Sequence, residues 1–217
     1  MKKLAQYLQK LVLFITFCLL YSCGLAPVNS SFEGARTLKK GQTEVTGNYS
    51  SYTLSGDGES FTTNRNYGLR LGFGLNDRVD LKFRYERLSP VGTEYRGTGA
   101  NYLAITPKYS FVEDKISGSF TVGTYSGEGD IFLFLSPKMI FSYPVRNRFE
   151  PTFSIKTDIF PFDQAYFLGM NLGFGISPNL DKWAIRPELG YMKDIQDFSY
   201  SYLTWGVGLT INFGSKR

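Results

Sequence analysis

Between Val79 and Glu86 the chain alternates without a break: Val79, Leu81, Phe83 and Tyr85 share one side, and Asp80, Lys82, Arg84 and Glu86 the other. A period of two marks an extended strand, because successive side chains leave it on opposite faces. Ile116, Phe120 and Val122 repeat the phase against Ser117, Ser119 and Thr121. So do Leu203, Trp205, Val207, Leu209, Ile211 and Phe213 against Thr204, Gly206, Gly208, Thr210 and Asn212. The pattern predicts ten strands, over 43–54, 62–75, 79–89, 100–111, 115–126, 131–143, 148–160, 166–176, 183–194 and 198–213. Strands of soluble sheets most often hold about 5–6 residues. Twelve residues at about 3.3 Å, tilted near 45°, rise roughly 28 Å, the thickness of a hydrocarbon core.

A short turn signature recurs at intervals of roughly 35 residues, the length of a two-strand unit. Its copies are Asp77-Arg78-Val79, Asp114-Lys115-Ile116, Asn147-Arg148-Phe149 and Asp181-Lys182-Trp183. The chain therefore reads as a meander of hairpins. Its polar face is rich in small residues (Gly68, Gly72, Gly74, Gly169, Gly173, Gly175, Gly206, Gly208), which suit a crowded interior, while the bulky apolar face suits lipid. The fold class expected is all-β: a single antiparallel up-and-down transmembrane β-barrel of about ten strands. It would have eight or twelve if a hairpin around 43–75 or 126–143 is merged or split.

Connections fall into a short set, near 76–78, 113–114, 144–147 and 177–182, and a longer set that includes 55–60, 89–99, 126–130, 160–165 and 193–197. Barrels of this kind keep short turns in the periplasm, so an even strand number puts both chain ends there. Phe73, Tyr109, Phe111, Phe141, Tyr143, Phe149, Trp183 and Phe213 are expected as an aromatic girdle at that side. Tyr52, Tyr95, Tyr125, Tyr200 and Tyr202 are expected as the rim at the other. Pro107, Pro137, Pro151 and Pro187 fall inside predicted strands, where a missing N–H should produce bulges or ends of pairing.

Residues 1–22 read as an export signal, with Lys2, Lys3 and Lys10 ahead of an apolar run from Leu11 to Tyr21. Those lysines account for part of the net charge of +5, which falls to +2 without them, so nucleic acid is not an expected partner. Leu20-Tyr21-Ser22-Cys23 resembles a bacterial lipobox, although Tyr21 stands where a smaller residue is usual. Lipidation of Cys23 would explain a cysteine that has no disulfide partner once Cys18 leaves with the signal. Ser30 to Gln42 is short, polar and mildly basic, so residues 23–42 read as a lipidated N-terminus and periplasmic tether, 43–213 as the barrel, and 214–217 as a basic tail.

From Thr43 to Phe213 the chain resembles small, lipobox-bearing outer-membrane β-barrel proteins of Gram-negative bacteria, a group of unassigned function. Gly208, Ile211 and Phe213 match the terminal Gly-x-x-apolar-x-aromatic signal read by the barrel assembly machinery, although Gly214-Ser215-Lys216-Arg217 follow it. The resemblance implies an outer-membrane location, with membrane lipid and that machinery as partners.

The sequence contains no histidine, which removes Ser-His-acid catalysis and imidazole metal sites together. No catalytic set, cofactor or metal site is expected. The inward face collects Arg70, Lys82, Arg84, Lys108, Lys138, Lys156 and Arg186 against Glu44, Asp80, Glu86, Glu150, Asp158 and Glu188. Two readings stand side by side: a sealed interior of paired charges, or a polar path for small solutes in which Lys82, Arg84, Lys108 and Lys138 take part. The function expected is a non-enzymatic barrel, structural or a narrow pore for small solutes. A barrel holding an apolar or amphipathic ligand against Phe132, Phe134 and Ile140 is the alternative, and an enzyme a distant third.

Overall fold

The computed structural model describes residues 26–214, apart from 57, 92–98, 128 and 197–198. The export signal, Cys23, the loop tip Glu94-Tyr95-Arg96 and the end of the basic tail lie outside the described residues. Ten strands follow in order: β1 Thr43–Gly56, β2 Glu59–Gly74, β3 Val79–Pro90, β4 Ala100–Val112, β5 Ile116–Gly127, β6 Asp130–Ser142, β7 Phe149–Phe160, β8 Ala165–Ile176, β9 Trp183–Asp194 and β10 Ser201–Phe213. Each pairs antiparallel with its sequence neighbour, and β1 closes on β10 from Thr43↔Phe213 to Ser55↔Ser201. Closure leaves no unpaired sheet edge, as a wall in lipid requires.

The four turn signatures lie at the short connections, and Val79, Ile116, Phe149 and Trp183 each open an odd-numbered strand. All four build the same bond. The carbonyl of the basic residue accepts a backbone N–H from the end of the return strand of the hairpin it opens: Arg78 from Ser110 at 2.8 Å, Lys115 from Ser142 at 2.8 Å, Arg148 from Ser177 at 2.9 Å and Lys182 from Asn212 at 2.7 Å. The repeat thus ties the two strands of each such hairpin together at its open end. At the first turn, Asn76 Oδ1 accepts from both Arg78 N and Val79 N, which closes the bend without help from outside it.

Alternation sorts the faces as the pattern predicts. Leu203, Trp205, Val207, Leu209, Ile211 and Phe213 are all at least 40% exposed, while Thr204 and Thr210 are buried. Phe73, Tyr109, Phe111, Phe141, Tyr143, Phe149 and Phe213 face outward near the short turns. Tyr52 and Tyr125, expected in the outer rim, instead point into the lumen and are 0% and 8% exposed. Their hydroxyls find partners there, and polar tips at the ends of strands do not by themselves reveal which side is wet.

Three of the strand prolines interrupt a ladder, as a missing donor requires, but the bulges expected at them do not form. At Pro107 the β4–β5 ladder passes from Ile105↔Val122 to Lys108↔Ser119. At Pro137 the β6–β7 ladder passes from Leu135↔Ile159 to Lys138↔Lys156, and at Pro187 the β8–β9 ladder passes from Gly173↔Glu188 to Ile176↔Ile185. The register survives each gap, so the prolines loosen the wall locally without shifting it. Pro151, in β7, stays in register with Phe174 of β8 and uses its carbonyl on the other side, accepting at 3.0 Å from the N–H of Tyr143, just past the end of β6.

Val207 lies midway along β10 on the exposed face. Val207→Arg is therefore expected to destabilise the barrel by about 2–4 kcal/mol in lipid, and Val207→Leu to leave it nearly unchanged. Urea unfolding in vesicles measures both, and equal midpoints would mean that this face does not meet lipid.

Candidate functional site

The lumen is occupied by the chain itself. Residues 26–35, described as neither helix nor strand, are buried within the barrel, and Arg36 to Lys39 follow them to a turn before β1. At one end Ala26 N donates to Asn64 Oδ1 and Val28 N to Tyr125 Oη, both wall residues close to the long connections. At the other, Leu38 N donates to Asp80 Oδ2 and Lys39 pairs with Glu113 beside the short turns. The segment thus runs down the lumen from the long-connection mouth to the short-turn mouth, where Gln42 N donates to Lys39 O and the chain reverses into β1. The tether expected outside the barrel is inside it. Ala26 and Phe213 consequently stand at opposite ends, and the expectation of both ends on one side fails for the described chain.

This segment is held largely through polar contacts. Asn29 N and Ser30 N donate to Tyr52 Oη at 2.8 and 3.3 Å. Glu188 accepts from Ser31 N at 2.7 Å and Phe32 N at 2.8 Å. Arg70 donates to Phe32 O at 3.1 Å and to Ser31 O. Arg84 donates to Ser30 O at 2.7 Å, and Lys156 to Val28 O at 2.5 Å. Lys108 reaches Gly34 O and Arg36 O. An irregular backbone inside a barrel has no ladder to satisfy it, and the wall's charged side chains supply the missing partners.

Every wall charge singled out in the sequence points inward, but the charges form clusters rather than a continuous column. Toward the long connections, Arg84 pairs with Glu86, which also accepts from Asn48, and Lys156 pairs with Asp158 at 2.6 Å. Nearer the short turns, Arg70 meets Glu44 at 3.1 Å and Lys108 meets Asp80 at 3.7 Å. Toward the short turns, Arg186 meets Glu150 at 3.0 Å. Glu188 is tied to the segment's backbone. Sequence reasoning missed the segment's own members of these clusters. Glu33 meets Lys82 at 2.6 Å and pairs with Lys138, while Arg36 meets Glu150 at 3.5 Å and Asp181 at 3.2 Å.

The inward glycines now have a reason. A β-carbon at Gly208 would stand 2.8 Å from Phe32 Cβ, one at Gly206 2.7 Å from the Phe32 ring, and one at Gly169 2.3 Å from Asn29 Oδ1. Side chains at these positions would compete for the space that the segment fills. Phe32 itself adopts a φ of 51°, unusual for a bulky residue, and is 1% exposed. Gly208, read as part of the assembly signal together with Ile211 and Phe213, contacts Phe32 inside the barrel, while Ile211 and Phe213 face outward.

Above the charges, Leu88, Tyr102, Ala104, Tyr125, Phe134 and Phe160 close around Val28 in an apolar cluster. The Tyr102 and Phe134 rings stack with centroids 5.2 Å apart, and Tyr125 and Phe134 lie 5.1 Å apart. Of the residues proposed for an apolar pocket, Phe134 belongs to this cluster, Ile140 is buried on the same inward face nearer the short turns, and Phe132 is 41% exposed. The rings fill this level of the lumen with one another and with Val28.

Neither a protein-family model nor a curated protein matches the chain. Among solved structures, an outer membrane channel from Pseudomonas putida F1 aligns with 88% of this chain and 100% of its own, at 12% identity and a TM-score of 0.51. The translocator domain of the autotransporter NalP from Neisseria meningitidis covers 81% of this chain and 90% of its own, at 10% identity and a TM-score of 0.43. Ail, the attachment invasion locus protein of Yersinia pestis, covers 80% and 99%, at 14% identity and a TM-score of 0.38. The chain has the closed antiparallel fold of outer-membrane β-barrels.

Phe32 is the largest apolar anchor between segment and wall. Phe32→Ala is expected to cost about 3–5 kcal/mol, the usual range for emptying a buried aromatic site. Thermal unfolding of the refolded protein reads this as a lower midpoint; an unchanged midpoint would mean that Phe32 does not pack in the lumen.

Proposed function

We propose that the protein is a non-enzymatic outer-membrane barrel, a narrow pore whose resting state is closed by its own N-terminal segment. The burial of residues 26–35 along the lumen carries this reading. The contacts that hold the segment are mainly hydrogen bonds and ion pairs. Water or a polar solute can replace such contacts one for one, whereas an apolar plug would leave bare hydrophobic walls behind it. A plug of this composition suits a closed state that opens. Wild-type protein in a planar bilayer is expected to be silent or to open rarely, and deletion of residues 26–38 to give steady conductance. Steady current through the wild type, or a folded deletion variant that stays silent, would overturn the reading.

The path of the segment also bears on Cys23, which we propose is acylated. Two residues separate it from Ala26, and the three steps between them span at most about 10 Å. Ala26 bonds to Asn64, which pairs with Tyr52, nine residues along β1 from Thr43, roughly 20 Å up a wall tilted near 45°. A lipid on Cys23 would therefore enter the leaflet on the long-connection side, the cell surface in barrels of this class. An epitope inserted between Leu25 and Ala26 should be detected on intact cells. Detection only after permeabilisation would place the anchor in the periplasm.

A further inference from the structure

Glu33 occupies an unusual position for a carboxylate. Lys82 of β3, Lys108 of β4 and Lys138 of β6 converge on its two oxygens: Lys82 lies 2.6 Å from Oε2, Lys108 3.6 Å from the same atom, and Lys138 pairs with Oε1. Lys108, Ser119 and Lys138 are successive register partners, one inward row across β4, β5 and β6, and Lys156 of β7 continues it. Like charges in a cross-strand row repel one another. The wall answers them only in part. Asp80 lies 3.7 Å from Lys108, and Glu44 lies 3.7 Å from Lys82 while also serving Arg70. Within 4 Å, the four wall cations Arg70, Lys82, Lys108 and Lys138 thus meet two wall anions among the described residues, Glu44 and Asp80, with Glu188 acting on Lys138 from further off, and the segment supplies a further anion in Glu33.

A second observation concerns the hydroxyls beside this row. Ser110, Ser117 and Ser119 are 4%, 0% and 8% exposed, and their Oγ atoms have no hydrogen-bond partner among the described residues. Ser119 stands between Lys108 and Lys138 in the register, and Ser117 pairs with Ser110 in the row toward the short turns. Buried hydroxyls usually find a partner. Three unused donors flanking a lysine row are suited to a group rich in acceptors.

We propose that Lys82, Lys108, Lys138 and Ser119 form a binding site for an oxyanion, the carboxylate or phosphate group of a small solute, and that Glu33 fills it in the closed state as a tethered stand-in. The proposal rests on the reading of residues 26–42 as a displaceable plug and names the class of solute the opened lumen would favour. An oxyanion offers acceptors to several ammonium and hydroxyl donors at once, and such charge-assisted bonds are short and strong. Withdrawing Glu33 with nothing in its place would leave buried cations uncompensated, a costly state. An arriving anion removes that cost, so plug release and anion entry favour each other.

The test uses the refolded mature protein and inorganic phosphate, with chloride at matched ionic strength as control. In Glu33→Gln, phosphate is expected to raise the temperature at which the compact barrel converts to the unfolded band by several degrees. The wild type should show no phosphate-specific shift, and Glu33→Gln combined with Lys138→Gln should lose most of the gain. No gain in Glu33→Gln, or a gain that survives loss of Lys138, overturns the site. Should Glu33→Gln refold poorly, phosphate in the refolding buffer is expected to restore the yield of compact barrel severalfold, and absence of rescue overturns the proposal equally. A silent wild type and a conducting deletion variant, with no phosphate effect, would remove the anion site and leave the plug standing. A wild type that conducts steadily would remove the plug.

Discussion

A charge turned into a narrow barrel must be paired there, and this requirement organises the structure. The pleat sends Arg70, Lys82, Arg84, Lys108, Lys138, Lys156 and Arg186 inward, away from lipid. Wall carboxylates answer some of them directly. The rest are completed by a strand of irregular backbone whose carbonyls accept from Arg70, Arg84, Lys108 and Lys156 and whose Glu33 accepts from Lys82 and Lys138. The exchange is reciprocal. A backbone segment without secondary structure could not be buried unless side chains satisfied it, and side chains this charged could not be buried without acceptors. Each makes the other tenable, and the glycines at 169, 206 and 208 provide the room.

The wall was legible in the sequence because its rules are local. Period-two alternation locates strands and assigns faces, and four copies of one turn place the hairpins within a residue or two of their observed positions. The prolines were legible for the same reason, since a missing donor is a property of the residue itself. Residues 26–42 were not legible, because the segment's partners lie up to 175 residues away, as between Asn29 and Thr204. Its short polar composition is also that of a tether. A signal was present all the same: a glycine-lined interior implies something that fills it, and Val28, Phe32, Ala35 and Leu38 supply apolar anchors, three or four residues apart, a spacing that read alone suggests a helix face and not an extended plug. Tyr52 and Tyr125 were misassigned to the rim because their hydroxyls serve the plug and not water.

The two readings of the interior charges that the sequence left open meet in one arrangement. The interior holds buried ion pairs, as a salt-bridged core would, yet much of what fills it is a segment of chain and not wall against wall, and in the proposed reading that segment is the part that moves. This changes what a search for activity should look for. In the proposed reading, what displaces the segment matters more than the loops or the apolar cluster around Val28, and the lysine row beside Ser119 is where a displacing anion would bind.

The central claim, that residues 26–35 thread the lumen, is tested most directly by a disulfide across it. Ser30 Oγ and Ser50 Oγ lie 3.4 Å apart, one on the segment and one on β1. In a Cys23→Ser background, Ser30→Cys with Ser50→Cys should cross-link on mild oxidation of the folded protein, giving a reducible change in gel mobility and blocking maleimide labelling of both thiols. If both thiols stay free and label in the folded barrel, the segment does not lie in the lumen.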